Sequence, residues 1–275
     1  MEPSAILVRH QGQVCRVRFN RPEAQNAIND AVIHELHTLF DACEKDGTTV
    51  VVLEGDEEAF CVGADFTSFT APEPDPGATP VDTPAEYDPS PLYDLWLRMA
   101  TGPWITLSHV RGQVNAGGVG FVAASDIVIA DTTATFGLSE LLFGLYPAMV
   151  LPFLVRRVGF QRANYLTLTT RAVDARQATE WGLVDRSAER SGPLLAQHLG
   201  RLSKLSGDGI ARYKRFVSAE IAPLGRHREA AIAANREIFS DAANLRRITE
   251  FVEHGIHPWE RRGSHGETPS AREAP

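Results

Sequence analysis

The feature that most constrains the fold is the succession of short strand patterns, turns and helix patterns through the first two thirds of the chain. Alternating apolar and polar residues, or a short wholly apolar run, are typical of strands. The strand patterns are Ile6 to Arg9, Gln13 to Phe19, Val50 to Leu53, Trp104 to Val110 and Asp126 to Ala130. The first two are predicted to form a hairpin, with Gln11-Gly12 as the turn between them. From about Pro147 onward these patterns stop and helix patterns follow. The sequence therefore predicts an α/β core with a helical C-terminal region.

The helix patterns have recognisable signals at their ends. Asn29 can cap a helix from Asp30 to about Lys45, and Gly47 follows its end. The later helix patterns are Leu92 to Ala100, Gln161 to Thr169, Ala175 to Trp181 and most of Ser191 to His254. We expect residues 1–200 to form the core, 201–260 the helical region and 261–275 a polar, disordered tail.

The charge balance argues against nucleic acid as a partner. There are 27 Lys and Arg against 35 Asp and Glu, which gives a net charge of −8, and no dense basic block occurs. No signal sequence follows Met1, and no apolar run approaches the ~20 residues that cross a bilayer. Cys15, Cys43 and Cys61 lie far apart, which predicts neither a disulfide framework nor a zinc site. We expect a cytoplasmic protein that binds no metal.

Two glycine-containing segments could bring bare backbone to a binding site. Ala116 to Gly120 does not match the dinucleotide fingerprint, and Phe121 and Val122 follow where a P-loop requires Gly-Lys-Ser/Thr. These glycines either let a helix start in tight contact with a sheet, or direct backbone N–H groups at an oxyanion. Phe60 to Phe66 allows a structural interpretation, with Asp65 as a helix N-cap, and a functional one.

Several motifs occur in the order found in the crotonase superfamily, also called the enoyl-CoA hydratase/isomerase family, and the chain resembles that family. They are Asn20-Arg21-Pro22 with Asn26-Ala27, Phe60 to Asp65, Gly112 to Gly118 with Asp126, and Phe136 to Glu140 leading to Gly144 to Pro147. The resemblance extends from the predicted hairpin to about Trp259. It implies a crotonase fold, a spiral of β-β-α repeats with a helical C-terminal region that forms trimers or pairs of trimers.

The resemblance also implies roles for individual residues. The backbone N–H groups of Ala64 and Gly117 would form an oxyanion hole for a thioester carbonyl, and Glu140 would be the catalytic base. The expected substrate contacts are Val62, Asp65, Asn115, Gly118 and Tyr146. Asn115 could instead hydrogen-bond its own turn, an alternative that the sequence leaves open.

One departure from the family bears on the reaction. Hydratases of the family usually carry two glutamates, and here Gly120 occupies the first position while Glu140 retains the second. The loss of one carboxylate argues against ordinary hydratase activity, because the pair commonly organises one water. The segments from His109 to Ala124 and from Leu138 to Arg157 resemble the dehydratases of polyketide β-branching cassettes.

Those dehydratases act on a 3-hydroxy-3-methylglutaryl group on an acyl carrier protein and yield a 3-methylglutaconyl thioester. The resemblance implies the same hydro-lyase reaction here, with pantetheine arriving on the substrate and no other cofactor. If the elimination is syn, Glu140 could return to the leaving hydroxyl the proton that it took, and Tyr146, His109 and Asp65 are further candidates to supply that proton. The alternatives are enoyl-CoA hydration or isomerisation, decarboxylation of a glutaconyl thioester, and a catalytically silent scaffold.

A cluster of prolines follows the first glycine-containing segment. Seven of the 17 prolines lie between Pro72 and Pro91. The family has a variable loop at this position, so residues 70–91 are expected to form a mobile loop at the mouth of the pocket.

Two groups of basic residues lie outside the motifs. Arg156, Arg157 and Arg162 are expected on a solvated helix face that could meet an acidic carrier protein. His254 and His257 are expected at the surface near a helix end, or in a segment that covers a neighbouring subunit's site.

Overall fold

The structure is a computed structural model that describes residues 4–69 and 87–260. The described strands are β1 Ile6–Gln11, β2 Val14–Phe19, β3 Val50–Glu54, β4 Ala59–Cys61, β5 Ile105–Val110, β6 Gln113–Asn115, β7 Ile127–Asp131, β8 Thr135–Gly137, β9 Val173–Asp174 and β10 Arg186–Ala188. The α-helices are α1 Asp30–Asp46, α2 Ser90–Thr101, α3 Gly117–Ala124, α4 Leu151–Val158, α5 Phe160–Thr169, α6 Ala175–Trp181, α7 Ser191–Leu202, α8 Gly207–Phe216, α9 Arg228–Ser240 and α10 Ala242–His254. Short 3₁₀ turns at Phe66–Phe69 and Glu140–Phe143 adjoin the candidate site.

The predicted hairpin and first helix are confirmed. β1 and β2 pair antiparallel about a turn in which Gly12 has φ +59°, a conformation that glycine adopts without strain. The side chain of Asn29 accepts a hydrogen bond from Val32 N at 3.0 Å and so caps α1. Gly47 ends α1 with φ +78°. Each of these elements is determined by residues within a few positions of it, which is why the sequence predicts them.

The strands form two sheets. The larger has the order β1-β2-β3-β5-β7-β10 and the smaller β4-β6-β8-β9. Apart from the antiparallel β1–β2 and β8–β9 pairs, neighbouring strands are parallel. Each turn of the chain adds one strand to the larger sheet, the next to the smaller sheet, and then a helix. This is the expected spiral of β-β-α repeats: β3-β4-α2, β5-β6-α3 and β7-β8-α4.

The core fills the space around the spiral. Buried aromatic rings join its layers: Phe19 of β2 contacts Phe60 of β4 edge-on, with ring centroids 5.5 Å apart. Phe19 also contacts Phe121 of α3 at 5.2 Å, and Phe121 meets Trp96 of α2 at 5.9 Å. The backbone of the smaller sheet is therefore fixed from both sides by fully buried side chains.

The expectation of an all-helical region after Pro147 is wrong in detail. β9 pairs with β8, and β10 extends the larger sheet in parallel with β7. Neither strand has the apolar pattern that predicts a strand, because each is two or three residues long and half exposed. The helices α7 to α10 do occupy the segment from Ser191 to His254.

Two of the sequence expectations concern residues outside the described ranges. Residues 70–86 of the predicted loop and the whole of the predicted tail lie there. At the other end of the predicted loop, α2 begins at Ser90, so the last two loop positions are helical. Among residues 4–69 and 87–260, none of the helices is both long enough and apolar enough to cross a membrane.

Candidate active site

The candidate site lies where three parallel strands of the smaller sheet end. β4 leads to Ala64, β6 leads to Gly117 and β8 leads to Glu140. Because β4, β6 and β8 are hydrogen-bonded neighbours, their carboxyl ends lie at one edge of the sheet. A cavity of about 1000 Å³ opens at this edge, and Ala64, Gly117 and Glu140 all line it. Each repeat of the spiral therefore supplies one element of the site.

The backbone N–H groups of Ala64 and Gly117 lie close together without protein acceptors among the described residues. Ile28 pairs with the strand end through bonds to Gly63 O and from Asp65 N, and so leaves Ala64 N unused. A Cβ built on Gly117 would lie 3.8 Å from Ala64 N. Two free donors in contact at a cavity wall are suited to hold a single oxyanion.

Backbone strain at Ala116 orients one of these donors. Ala116 has φ 47° and ψ −122°, a region that side-chain-bearing residues rarely occupy and that costs about 1–3 kcal/mol. Its N–H donates to Gly137 O at 3.0 Å, which fixes the turn between β6 and α3. The turn directs the start of α3, with the N–H of Gly117, at the cavity.

The expected substrate contact at Gly118 is wrong. Gly118 is buried and does not line the cavity, because α3 packs directly on β4 there. A Cβ on Gly118 would lie 2.0 Å from Cys61 O. The two adjacent glycines thus serve the two different purposes that the sequence left open: Gly117 presents backbone to the cavity, and Gly118 permits close packing.

Glu140 is a buried carboxyl group with an unpaired oxygen. It begins the 3₁₀ turn after β8, and its Oε2 has no hydrogen-bond partner among the described residues. Burial raises the pKa of Glu140 to about 7, although a hydrogen bond from its own backbone N–H opposes the shift. A carboxyl group whose pKa lies near neutrality can both take and return a proton.

The other expected contacts support the site in different ways. Asn115 donates from Nδ2 to Ser139 Oγ at 2.8 Å, which ties β6 to the residue before Glu140. Asp65 accepts from Arg21 at 2.7 Å and holds the turn after β4. Val62, Asp65, Asn115 and Tyr146 all line the cavity, and Tyr146 lies at the surface with 41% of its area exposed. The observed Asn115 bond goes to a distant segment and not to its own turn, and its predicted contact with the substrate stays a prediction.

Trp96 is a cavity-lining residue that the sequence analysis missed. Its indole ring covers Gly120 on α3: a Cβ there would lie 2.4 Å from Cζ2 and 2.6 Å from Cε2 of the ring. Trp96 is 1% exposed, so a larger side chain at position 120 would have to displace a fully packed ring. Only the amphipathic pattern of α2 signals a buried residue here, and it does not indicate what the residue faces.

His109 is wrong as a candidate proton donor. It lies on β5 of the larger sheet, where Nδ1 donates to Glu54 at 2.9 Å and Nε2 is bonded to Ser191 Oγ at 2.9 Å. It does not line the cavity. Both ring nitrogens are occupied in a structural network.

The interpretation of Arg156 and Arg157 as a solvated face is also wrong. Arg156 donates to Ala123 O at 3.1 Å, and Arg157 donates to Leu183 O at 2.8 Å and to Ser125 O at 3.1 Å. Both guanidinium groups satisfy main-chain carbonyls between α3, α4 and the end of α6. Arg162 is exposed but donates to Trp181 O at 2.8 Å.

The C-terminal helices cover this chain's own cavity. Phe251 of α10 contacts Phe143 of the Glu140 turn at 5.3 Å, and Phe239 of α9 stacks on Phe69 at 4.5 Å. Asn235 of α9 and His257 after α10 line the cavity and are half-buried. The expectation of His257 as a surface residue is wrong, whereas His254 is exposed as expected.

Cys15, Cys43 and Cys61 are buried free thiols. Among residues 4–69 and 87–260, no group of three or more His, Cys, Asp or Glu side chains is arranged to hold a metal ion.

Comparisons with known proteins define the class. The enoyl-CoA hydratase/isomerase family model matches residues 9–262. The chain therefore belongs to the enoyl-CoA hydratase/isomerase family, whose members process acyl thioesters, and its fold is the crotonase fold.

Within that family, the chain is similar to a polyketide enzyme. It is 50% identical over 255 residues to the bacillaene synthase dehydratase PksH of Bacillus subtilis. The aligned region covers 93% of this chain and 96% of that protein. A crystal structure of a putative polyketide biosynthesis enoyl-CoA hydratase (pksH) from Bacillus subtilis matches with a TM-score of 0.84, over 91% of this chain and 98% of that one. A putative enoyl-CoA hydratase of Thermus thermophilus is 36% identical, over 65% of this chain and 69% of that protein. The predicted resemblance to polyketide dehydratases is confirmed.

Proposed function

We propose that this protein removes water from a 3-hydroxy-3-methylglutaryl thioester on an acyl carrier protein to give a 3-methylglutaconyl thioester. The observation that carries the proposal is the buried Oε2 of Glu140, in the same cavity as the N–H groups of Ala64 and Gly117, all three without hydrogen-bond partners among the described residues. The 50% identity to a bacillaene synthase dehydratase supports the reaction type.

In the first step, the two N–H groups hold the thioester oxygen while Glu140 removes the proton on C2. The electron pair of the C2–H bond moves to the carbonyl, and negative charge gathers on the oxygen of an enolate. Each preorganised donor stabilises that charge by roughly 3–4 kcal/mol. A pKa near 7 leaves about half of Glu140 ionised at neutral pH, so that the base is available without being strongly solvated.

In the second step, the enolate re-forms the carbonyl, a C2–C3 double bond forms and the C3–O bond breaks. The departing hydroxide takes a proton and leaves as water. Asp65 is held in an ion pair with Arg21, and Tyr146 lies at the surface with 41% of its area exposed. Glu140 therefore returns the proton that it took, which makes the elimination syn.

Trp96 occupies the space beside Gly120 in which a second carboxylate would lie. Its ring covers Gly120, where the resemblance places the second carboxylate of the hydratases. An indole N–H only donates hydrogen bonds and cannot accept a proton from water. In the proposal Glu140 is therefore the one carboxylate that moves protons, in place of the pair that the resemblance assigns to the hydratases.

The remaining parts of the proposal concern partners and location. The reaction needs a base and oxyanion donors, so no metal or redox cofactor is required, and pantetheine enters with the substrate. We propose that the acyl group arrives on a carrier protein rather than on CoA. We also propose that the protein assembles as a homotrimer or a pair of trimers and that it is cytoplasmic. Three free thiols support the last of these.

Mass spectrometry of carrier-bound 3-hydroxy-3-methylglutaryl substrate tests the function. The expected result is the loss of one water, and Glu140→Gln should abolish it. Loss of water and carbon dioxide would indicate a decarboxylase instead, and an unchanged mass would indicate a silent scaffold. Water addition to a crotonyl thioester at a comparable rate would favour an ordinary hydratase.

A further inference from the structure

The wall of the cavity formed by the C-terminal region contains polar groups that the proposed mechanism does not use. Asn235 and His257 line the cavity, and neither side chain has a hydrogen-bond partner among the described residues. Asn235 Oδ1 and His257 Nδ1 are buried as well as unpaired. An unsatisfied buried polar group costs about 1–3 kcal/mol, so two at one wall suggest a polar ligand.

The ring of His257 is held in place by its surroundings. It stacks on Trp259 with centroids 4.4 Å apart and an interplanar angle of 13°, and it packs against Phe251 at 5.0 Å. Its backbone N–H donates to Glu260 at 2.9 Å, and Glu260 N donates back to His257 O at 3.0 Å. The imidazole is therefore positioned by packing and main-chain bonds, while its Nδ1 has no hydrogen-bond partner among the described residues and can bind a ligand.

This wall is connected to the base through aromatic contacts. Phe251, which packs on His257, also contacts Phe143 at 5.3 Å, and Phe143 ends the short turn that Glu140 begins. Asn235 lies one helical turn before Phe239, whose ring stacks on Phe69 of the turn after β4. Both polar groups thus belong to the cover that packs over the two catalytic turns.

The charges around the cavity indicate what the ligand group is. The described lining groups that carry or can gain a charge near neutral pH are Arg21, Glu23, Asp65, Glu140 and His257, and Tyr87 and Tyr146 add two phenol groups. Arg21 is occupied by Asp65 at 2.7 Å and by Ala27 O at 2.6 Å. Arg21 and His257 are the described lining residues that can carry a positive charge, and of these two only the His257 side chain has no hydrogen-bond partner among the described residues.

We propose that Asn235 and His257 form a subsite for the distal carboxylate of the acyl chain, apart from the oxyanion hole. This inference rests on the proposed function, which supplies an acyl group with a free carboxylate. His257 donates from its ring, and the amide of Asn235 turns its N–H group towards the anion, because rotation exchanges Oδ1 and Nδ2. Anchored at the thioester and at the carboxylate, the acyl chain holds C2 and C3 beside Glu140.

Binding of two unreactive thioesters tests the subsite without turnover. S-glutaryl-pantetheine carries the carboxylate, and S-pentanoyl-pantetheine has a methyl group in its place. Neither has a hydroxyl to eliminate. Titration calorimetry should show that His257→Gln and Asn235→Leu each weaken glutaryl binding by about 10- to 100-fold and leave pentanoyl binding unchanged. His254→Gln, an exposed histidine on the same helix end, is the matched control and should change neither.

Three results would overturn the subsite. The first is that the unaltered protein binds the two thioesters equally. The second is that both variants bind the glutaryl thioester within about twofold of the affinity of the unaltered protein. The third is that the variants bind both thioesters more weakly by the same factor. The last would indicate a structural role for the two residues. If the carrier-bound substrate is not dehydrated but the glutaryl preference persists and is lost in the variants, the proposed function fails and the subsite stands.

Discussion

Two buried glutamates at the ends of strands show how the two sheets of the fold differ. Glu54 ends β3 in the larger sheet and binds Arg16 through both carboxylate oxygens, at 2.7 and 2.9 Å, and His109 at 2.9 Å. Burial alone would raise the pKa of Glu54, but the bonds from His109 and Arg16 outweigh it and lower the pKa to about 2. Glu140 follows β8 in the smaller sheet, is not paired, and has its pKa raised by burial to about 7.

The difference shows that the partners of a buried carboxylate decide whether its pKa is lowered or raised. Arg16, Glu54, His109 and Ser191 form a chain of bonds across β2, β3, β5 and the start of α7. This network ties together the central strands of the larger sheet, of which β3 is wholly buried. Within the part of the chain that the structure describes, one carboxyl oxygen and two N–H groups at the edge of the smaller sheet have no partners. Unsatisfied groups of this kind are retained where a substrate completes them.

The largest expected effect is on activity. Glu140→Gln should lower the rate of dehydration by roughly 10³-fold, because general base catalysis contributes about 10²–10⁴. Glu54→Gln should leave the rate per folded molecule within about threefold of the unaltered protein, since Glu54 does not line the cavity. Single-turnover mass spectrometry on the two variants measures both. Equal losses in the two would remove the distinction between the two carboxylates.

The next effect is on the pH dependence of the reaction. With Glu140 titrating at about 7 in the free enzyme, kcat/KM should fall about tenfold per pH unit below that value, to about 100-fold at pH 5. Glu54 titrates at about 2 and should leave no trace in this range. A profile measured from pH 5 to 9 on Glu54→Gln should therefore keep the same midpoint. A flat profile between pH 5 and 8 would contradict the role of Glu140.

The sequence indicates those parts of the site that depend on local backbone. Asn29, Gly47 and Gly12 act within a few residues of their own turns, and each was assigned correctly from its neighbours. Ala64 and Gly117 would act through their own backbone N–H groups at the ends of short strands. Both positions lie inside the contiguous motifs that carry the family resemblance, so the sequence could indicate them. The structure brings both to one cavity edge, as the resemblance implied.

The residues that were missed depend on contacts between distant segments. Trp96 meets Gly120 only because α2 packs across α3, and nothing in either segment alone indicates the contact. His257 becomes half-buried because α10 folds back over the Glu140 turn. The predictions for His109 and Arg157 were wrong because both side chains form hydrogen bonds with other protein groups. In a sequence, a polar residue that satisfies a buried group cannot be distinguished from one that faces solvent or substrate.

A smaller effect is expected on the stability of the larger sheet. Glu54→Gln should lower the free energy of unfolding by about 2–3 kcal/mol at pH 7, because it leaves Arg16 without its anionic partner. The folded pKa of about 2 lies below the unfolded value, so this stabilisation is present above about pH 4.5 and is lost as the pH falls towards 2. Urea unfolding at pH 7 and pH 3 should show the difference shrinking. A variant as stable as the unaltered protein at pH 7 would contradict the network.

The smallest effect has the opposite sign. The folded pKa of Glu140, about 7, lies above its unfolded value, so ionisation opposes folding. No penalty exists well below pH 4.5, it grows between pH 4.5 and 7, and it is complete above 7. Glu140→Gln removes the charge and should therefore raise the free energy of unfolding by about 2 kcal/mol more at pH 8 than at pH 5.

Urea unfolding at these two pH values measures this effect, with Glu180→Gln, an exposed glutamate of α6, as the control that should show no such difference. A stabilisation of Glu140→Gln that does not change between pH 5 and 8 would mean that the carboxyl is not held in a desolvated, unpaired state. We expect Glu140→Gln to lose activity and to gain free energy of unfolding as the pH rises. That combination is expected of a carboxylate that destabilises the folded protein and that the reaction requires.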